Sequence, residues 1–286
     1  MVSCCRSDLE GVKMEYVEGP HGLRFIRIEE SQVFLGTDKG GWVYANERPR
    51  HRVELPSFLI LESPISKIQF AAIMGEESTS EGLKDMITHE SVAKVCEKLS
   101  EHFEDEVRRP SQSEWEVAKP HLFLQCGWTE LFSDEATGNH RGAPFDGRPR
   151  RGEIIGPFSG HRVSQSAHPN REGVYARVAT PGDRPLPKVG FRLVVSPVRT
   201  GDAMKVPDNA NFFANIRSEI FWTAVLGIIP SFTIPILRGF GSYAIDGWVN
   251  LLFGGLCAGF VTGAFWRPRR VTWGLDSEGE IIHLKD

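Results

Sequence analysis

Two stretches in the last quarter of the chain carry no charged residue: 18 positions over 220–237 (IFWTAVLGIIPSFTIPIL) and 20 over 247–266 (GWVNLLFGGLCAGFVTGAFW). They constrain the fold more than any other feature. A helix needs about 20 mainly apolar residues to cross the hydrocarbon core, and roughly 17 is the lower bound. Soluble helices of that length keep a polar stripe, and neither stretch has one. Trp222, Tyr243, Trp248 and Trp266 stand near their ends, where an interfacial aromatic belt belongs. Nine residues, 238–246, separate the stretches, which suits a tight hairpin of two transmembrane helices.

Arg217 precedes the first span, and Arg267, Arg269 and Arg270 follow the second, whereas the Arg238 of the connecting loop is balanced by Asp246. The positive-inside rule then places the N-terminal domain and the C-terminal tail in the cytoplasm. The opening MVSCCRSDLEGVK agrees, since it lacks the apolar core of a signal peptide. Pro230 and Pro235 are expected to kink the first helix. Gly255, Gly259 and Gly263 recur every four residues on one face of the second. Such a stripe admits another helix closely, either the first span or a second copy in a homo-oligomer; glycine is also simply common in membrane helices. Neither span holds an ionisable residue, so an anchor is expected and not an ion pathway.

Residues 220–286 hold five basic and five acidic residues, so the whole net charge of −4 belongs to residues 1–219. That balance argues against nucleic acid as a partner, which calls for a basic excess. Five cysteines (Cys4, Cys5, Cys96, Cys126 and Cys257) make an odd set without framework spacing, which fits a reducing compartment. Cys4 and Cys5 are either acylated or an unmodified pair. No CxxC, HExxH or Walker-type loop is present, and no cofactor or metal is expected.

Residues 23–35 alternate around a turn as a strand pair, a loop runs from Gly40 to Pro49, and HRVEL and SFLIL give two more strands bent at Pro56. Ser66 with Gln69 has capping-box spacing, with Ile65 and Phe70 as staple and Gly75 as stop. A second helix begins near Thr88 with Val92, Val95, Cys96, Leu99 and Phe103 on one face; Cys96 reads as core. A third is capped by Ser111 and Glu114 and stopped by Pro120. Residues 127–187 are rich in Gly, Pro, Arg, His and Asp, and only short strands around 173–178 and 189–195 are predicted there. A long irregular stretch of this kind is either functional or a surface excursion.

The order of motifs resembles that of the formylglycine-generating enzyme (sulfatase-modifying factor) family. FLG at 34–36 is similar to its opening F-x-M-G, and Glu47-Arg48-Pro49-Arg50-His51-Arg52-Val53 to its E-x-P-x-H-x-V. Phe58-Leu59-Ile60, Pro64-Ile65-Ser66 and Gln69-Phe70 resemble the strand and helix start that follow. Arg108-Arg109-Pro110-Ser111-Gln112-Ser113-Glu114-Trp115-Glu116-Val117-Ala118 is similar to R-L-P-T-E-A-E-W-E-x-A, and Gly190-Phe191-Arg192 to the closing G-F-R. The resemblance covers about residues 20–195 and implies an α+β, C-type-lectin-like domain with much irregular structure. Glu47, His51, Arg108, Glu114, Trp115, Gly190, Phe191 and Arg192 then read as architectural. Arg108 suits a carboxylate partner, and the Trp115 N–H needs an acceptor.

Active members oxidise a substrate cysteine to formylglycine with a copper ion held by two cysteines between R-G-G-S-W and G-F-R. Two thiolates suit Cu(I), and here residues 127–256 contain no cysteine. The R-G-G-S-W segment has no counterpart, and Gly127-Trp128-Thr129-Glu130-Leu131 is at most a remnant of G-N-V-W-E-W. Cys126 is a lone thiol before it. Another branch of the family uses iron held by histidines of an extra N-terminal domain, which nothing before residue 20 is expected to supply.

The organisation expected is therefore an extension (1–19), an α+β domain (20–198), a linker (199–219), spans at 220–237 and 247–266, and a tail (267–286). The candidate ligand surface is 139–162: Asn139, His140, Arg141, Asp146, Arg148, Arg150, Arg151, His161 and Arg162. Its arginines offer forked donors to phosphate, sulfate or carboxylate, and anionic lipid headgroups are one such target; a solvated charged loop is the alternative. His140, His161 and His168 match no metal-ligand spacing. Three readings follow: a membrane-tethered, non-catalytic binding or scaffold domain; a divergent enzyme of the family; or a hairpin protein whose soluble domain promotes assembly. The missing cysteine pair favours the first over the second.

Overall fold

The computed structural model describes residues 15–152, 155–208, 212–239 and 241–284. Cys4 and Cys5 lie outside them, as does the side chain of Tyr243. The protein is mixed α+β and divides into two compact units that interleave along the chain. The first comprises the described residues of Met1–Val33, Glu54–Ala136 and Gly147–Gly201; the second comprises those of Phe34–Val53, Thr137–Asp146 and Asp202–Asp286.

Strands β1 (Tyr16–Glu18), β2 (Arg24–Ile28), β3 (Ser31–Leu35), β4 (His51–Leu55) and β5 (Phe58–Leu61) open the chain. Helix α1 (Lys67–Met74) has the predicted capping box: Gln69 N donates to Ser66 Oγ (3.1 Å) and Ser66 N to Gln69 Oε1 (3.0 Å). Gly75 ends it at φ 79°, a conformation that a side chain would strain. Helix α2 (His89–Ser100) is capped by Thr88 and Ser91, and buries Val92, Val95 and Leu99. Strand β6 (Glu106–Arg108) leads to α3 (Gln112–Ala118), capped by Ser111 and Glu114.

In the first unit, an antiparallel sheet runs β1-β2-β5-β11-β6, with β11 (Val194–Ser196) lying between β5 and β6. Its core gathers Phe25, Leu61, Ile65, Val95, Leu99, Phe191 and Leu193. A second sheet runs β10-β7-β8-β9, from β7 (Thr129–Glu135), β8 (His161–Ala167), β9 (Tyr175–Pro181) and β10 (Val189–Gly190). Here the sequence expectation needs correcting, because β7 and β8 are seven-residue strands inside the stretch read as irregular. Their buried positions are partly polar and include Glu130, Asp134, Ser164 and Gln165. The β7 register also shifts between Leu131 and Glu135. A bulge of this kind breaks the period-2 pattern that reveals a strand.

The two sheets are tied by a buried ionic node. Arg192 is completely buried and Glu130 is 2% exposed. Arg192 Nε donates to Glu130 Oε2 (2.8 Å) and Nη2 to Glu130 Oε1. The remaining guanidinium protons go to the carbonyls of Leu61 (2.9 Å), Glu62 (3.0 Å) and Phe123 (2.9 Å). Trp115 Nε1 donates to Glu130 Oε2 (3.0 Å), and its ring packs on Phe132 and Tyr175. A buried pair survives desolvation only when its spare donors and acceptors are filled in this way.

The second unit contains a sheet in the order β13-β12-β4-β3, completed by β12 (Thr272–Leu275) and β13 (Ile281–Leu284) from the tail. Ala143, Phe145 and Val206 pack with Trp273, Leu275 and Ile281 to give it a small core. The two helices long and apolar enough to cross a membrane are Ile216–Leu237 and Trp248–Phe265. The first begins as α4 (Phe212–Thr223), widens to a π-helical turn (Ala224–Ile228) just before Pro230, and continues as α5 (Ile229–Leu237). A wide turn there eases the clash of the proline ring with the preceding turn. A short α6 (Ser242–Asp246) precedes α7 (Trp248–Phe265).

These are not core helices. Only 17% and 11% of their apolar windows are buried, and Phe221, Phe232, Leu237, Phe253 and Phe260 point outward. The glycine stripe is used within the chain. Cβ atoms on Gly227 or Gly255 would collide with the other's carbonyl, and one on Gly259 would lie 3.3 Å from Thr223 Cγ2. At the Arg217 end, Arg267 Nε binds Glu219 Oε2 (2.8 Å) and Arg269 Nη1 binds Asp38 Oδ2 (3.0 Å).

Because Glu130 satisfies two partners, Glu130→Ala strands a fully buried guanidinium and an indole N–H. The expected loss is about 3–5 kcal/mol, read by urea unfolding of the detergent-solubilised chain. Exposed Glu76→Ala should leave the midpoint unchanged.

Candidate functional site: an arginine-lined cleft

A cleft of about 740 Å³ opens in the first unit. Its walls come from α2, β6, the end of β7, the start of β8, and two irregular segments at 148–151 and 197–199. Among the described lining residues seven are arginine (Arg108, Arg109, Arg148, Arg150, Arg151, Arg162 and Arg199), against Glu106 and Glu135. That imbalance contrasts with the −4 of the whole chain.

The segment 148–151 is fixed by Asp134, a buried residue of β7. Asp134 Oδ1 accepts from Arg150 N (2.7 Å) and Oδ2 from Gln112 N (2.6 Å). Burial pushes this carboxyl above its ordinary range. Glu135 N donates to the Arg150 carbonyl (2.9 Å), and Gly152 N to Glu135 Oε2 (2.7 Å). The loop is therefore an ordered wall held by main-chain bonds.

The arginines differ in what satisfies them. Arg108 forks onto Glu114, Nη1 to Oε2 at 2.8 Å and Nη2 to Oε1 at 2.7 Å. Burial works against the Glu114 charge, but Arg108 and the Ser111 N–H outweigh it and hold the carboxyl below its usual range. Arg199 Nη2 reaches Glu114 at 3.6 Å and donates to Ser196 Oγ (3.1 Å). Arg148 Nη1 donates to the carbonyl of Gly201 (2.6 Å). Arg162 Nη1 donates to the Ser133 carbonyl (2.6 Å), with Glu135 only at 3.9 Å.

Arg109 is the exception. It is 5% exposed, and its Nη1 has no hydrogen-bond partner. Its Nη2 meets only His89 Nδ1, at 3.5 Å, and among the described residues no carboxylate pairs with it. Burial, and then neighbouring Arg162, push its guanidinium down to about 10, so it stays charged at neutral pH. Burial also lowers His89, with help from Arg162 and Arg109, and raises the Cys96 thiol to about 11. Cys96 is thus a neutral wall atom. A buried, under-coordinated cation among other cations is a costly arrangement that an oxyanion relieves, since guanidinium forks match phosphate, sulfate and carboxylate.

Of the residues expected to bind a ligand, Arg148, Arg150, Arg151 and Arg162 line this cleft. His161 belongs to the same unit, but its Nδ1 lies 3.1 Å from the Ser159 carbonyl and the residue is not part of the wall. Asn139, His140, Arg141 and Asp146 belong to the second unit. There Asn139 Oδ1 accepts from Arg141 N (2.9 Å), and buried His140 meets His51 edge-on at 5.5 Å. Gly36 at φ 83° lies beneath them, where a Cβ would fall 2.9 Å from His140 Nδ1. Of the residues taken as architectural, Arg108, Glu114, Trp115 and Arg192 sit in the ionic networks above, and His51 is buried in the second unit. Arg109, Arg199 and His89 were not anticipated. One signal was available for Arg109: it stands where the resembled motif R-L-P has leucine.

No family model matches this chain, and neither does any curated protein sequence. Solved structures similar to it include PvdO from Pseudomonas aeruginosa, at 13% identity and a TM-score of 0.49. Another is Treponema denticola variable protein 1, at 15% identity and a TM-score of 0.42. Each likeness covers 65% of this chain and the whole of the other.

Two outcomes are expected. Arg109→Met should raise the unliganded chain's stability by about 1 kcal/mol, because replacing a poorly compensated buried charge with an apolar side chain is neutral or stabilising; a thermal melt reads it. Glu114 has a depressed carboxyl, so its contribution is present above the unfolded-state value and is lost as pH falls through the folded one. Glu114→Gln should accordingly flatten the acid limb of a stability–pH profile.

Proposed function

We propose that the chain is a membrane-tethered, non-catalytic binding module whose arginine cleft takes an oxyanionic ligand. The observation that carries this reading is Arg109, buried in a cationic cleft with an unsatisfied Nη1. The ligand chemistry is a phosphate, sulfate or carboxylate group, whether free or on a lipid headgroup.

The module is read as a C-type-lectin-like domain of formylglycine-generating-enzyme type. Supporting that reading are the ordered motifs and the node that joins Trp115, Glu130 and Arg192, of which Trp115 and Arg192 fall in the resembled segments. The absence of cysteine from 127–256 supports a binding role over the oxidase chemistry. The anchor is the apolar hairpin, with Arg217, Arg267, Arg269 and Arg270 on the cytoplasmic side together with the domain and the tail. Pairing of Arg267 and Arg269 with acidic groups does not weaken the orientation, because the rule counts Lys and Arg and is not a net-charge rule.

Titration calorimetry on the detergent-solubilised chain tests the site. Inorganic phosphate or sulfate should bind with a Kd of about 1 mM or tighter, weakening at least about tenfold in Arg109→Met (1.4 kcal/mol). Equal affinity in the variant would sink the assignment. Vesicles containing an anionic lipid that compete with free phosphate would identify a headgroup as the source. Incubation with a Cys-x-Pro-x-Arg peptide and copper should leave its mass unchanged; mass loss at the cysteine would replace the binding reading with the enzymatic one.

A further inference from the structure

Within the second unit, one segment beside the apolar helices has no role in the reading above. Gly40 and Gly41 press against the end of α7. A Cβ on Gly41 would lie 2.6 Å from the Ala264 carbonyl oxygen, and one on Gly40 would collide with Pro268 and Arg267. This close approach fixes the start of the 3₁₀ helix Trp42–Glu47. From there the Trp42 ring turns along α7 and meets Phe260 edge-on at 4.7 Å. Phe260 is itself 58% exposed. It lies five residues before the last residue of α7, or about 7.5 Å inside the helix end at 1.5 Å per residue.

Trp42 and Val43 remain 42% and 53% exposed beside it, so the loop extends the outward apolar surface of the helix and does not cap it. At the same end of the hairpin Trp222 and Trp266 stack edge-on at 5.3 Å. Lys39 Nζ lies 4.7 Å from the Tyr44 ring centroid. Tryptophans at one end of the hairpin, with a lysine and a tyrosine beside them, have the composition of a membrane–water interface.

We infer that residues 39–44 form a membrane-interfacial loop. Trp42 and Val43 enter the boundary between headgroups and acyl chains beside Phe260, and Lys39 reaches the headgroup phosphates. The occupant of this surface is the lipid interface, because the surface is continuous with that of an exposed apolar helix. The inference rests on α7 spanning the bilayer.

The test uses the full-length chain in phosphatidylcholine vesicles, carrying one environment-sensitive fluorophore at a time. Native Cys257, exposed near the middle of α7, serves as the deep reference once Cys4, Cys5, Cys96 and Cys126 are replaced by alanine. Val43→Cys and Trp42→Cys report on the loop in chains where Cys257 is also alanine, and Glu76→Cys is the aqueous reference. The loop probes should be quenched about twofold more by a nitroxide lipid labelled near the headgroup than by one labelled near the chain end. Cys257 should show the opposite order, and Glu76→Cys neither effect. Loop probes that behave like Glu76→Cys while Cys257 is quenched would overturn the loop inference alone. Absence of quenching at Cys257 would overturn the span reading, and this inference with it. A blue-shifted loop probe that neither lipid quenches would assign the surface to a second copy of the chain and overturn the lipid assignment.

Discussion

Glu130 and Arg192 lie where the first unit's two sheets must meet, and much else in that unit follows from satisfying them. Arg192 directly follows β10 and Phe191, while Glu130 is the second residue of β7. Their bidentate contact sets where β10 lies along β7, with Gly190 opposite Glu130. Arg192 also holds carbonyls that follow β5 and α3, and Glu130 holds the Trp115 indole. An apolar core tolerates several packings of similar energy. A buried guanidinium with five donors to place tolerates far fewer. We regard this node as the source of the unit's single arrangement, with the hydrophobic cluster around Phe25 and Leu99 supplying the bulk of its stability.

Where sequence reasoning succeeded, local chemistry carried the information. The capping boxes at Ser66 and Ser111 and the stop at Gly75 are satisfied within a few residues, so spacing alone reveals them. The helix starting after Thr88 was readable from its apolar stripe. Strands β7 and β8 were hidden because their buried positions include Glu130, Asp134 and Ser164, whose partners are distant in sequence. The tail strands β12 and β13 were hidden differently: each is four residues long, and although they pair with each other, β12 joins the rest of the sheet only at β4, some 220 residues earlier. The cleft was half legible. The arginines of 148–151 announced themselves by density, but Arg109 and Arg199 are far apart in sequence and converge only through β6 and β11.

On the binding reading proposed above, the cleft sets stability against ligand recognition. Arg109 sits at a position whose burial suits leucine, and its charge is opposed by Arg162. Selection for folding alone removes such a residue, whereas selection for a ligand retains it. The same contrast separates Arg109 from Arg108, its neighbour in sequence. Arg108 spends its fork on Glu114 and builds the domain; Arg109 keeps a donor unspent.

The interleaving of the two units bears on how the chain is made. Strand β11 joins β5 to β6 inside the five-stranded sheet yet comes from residues 194–196, so that sheet cannot be completed until most of the polypeptide has left the ribosome. Strand β4 waits longer still, because β12 follows the second apolar helix. Until the hairpin has been synthesised, β4 presents an open edge of the kind that invites pairing with other chains. Completion of the two apolar helices is then also a step in closing that sheet. A nascent chain halted before that point would be exposed to aggregation and to proteolysis.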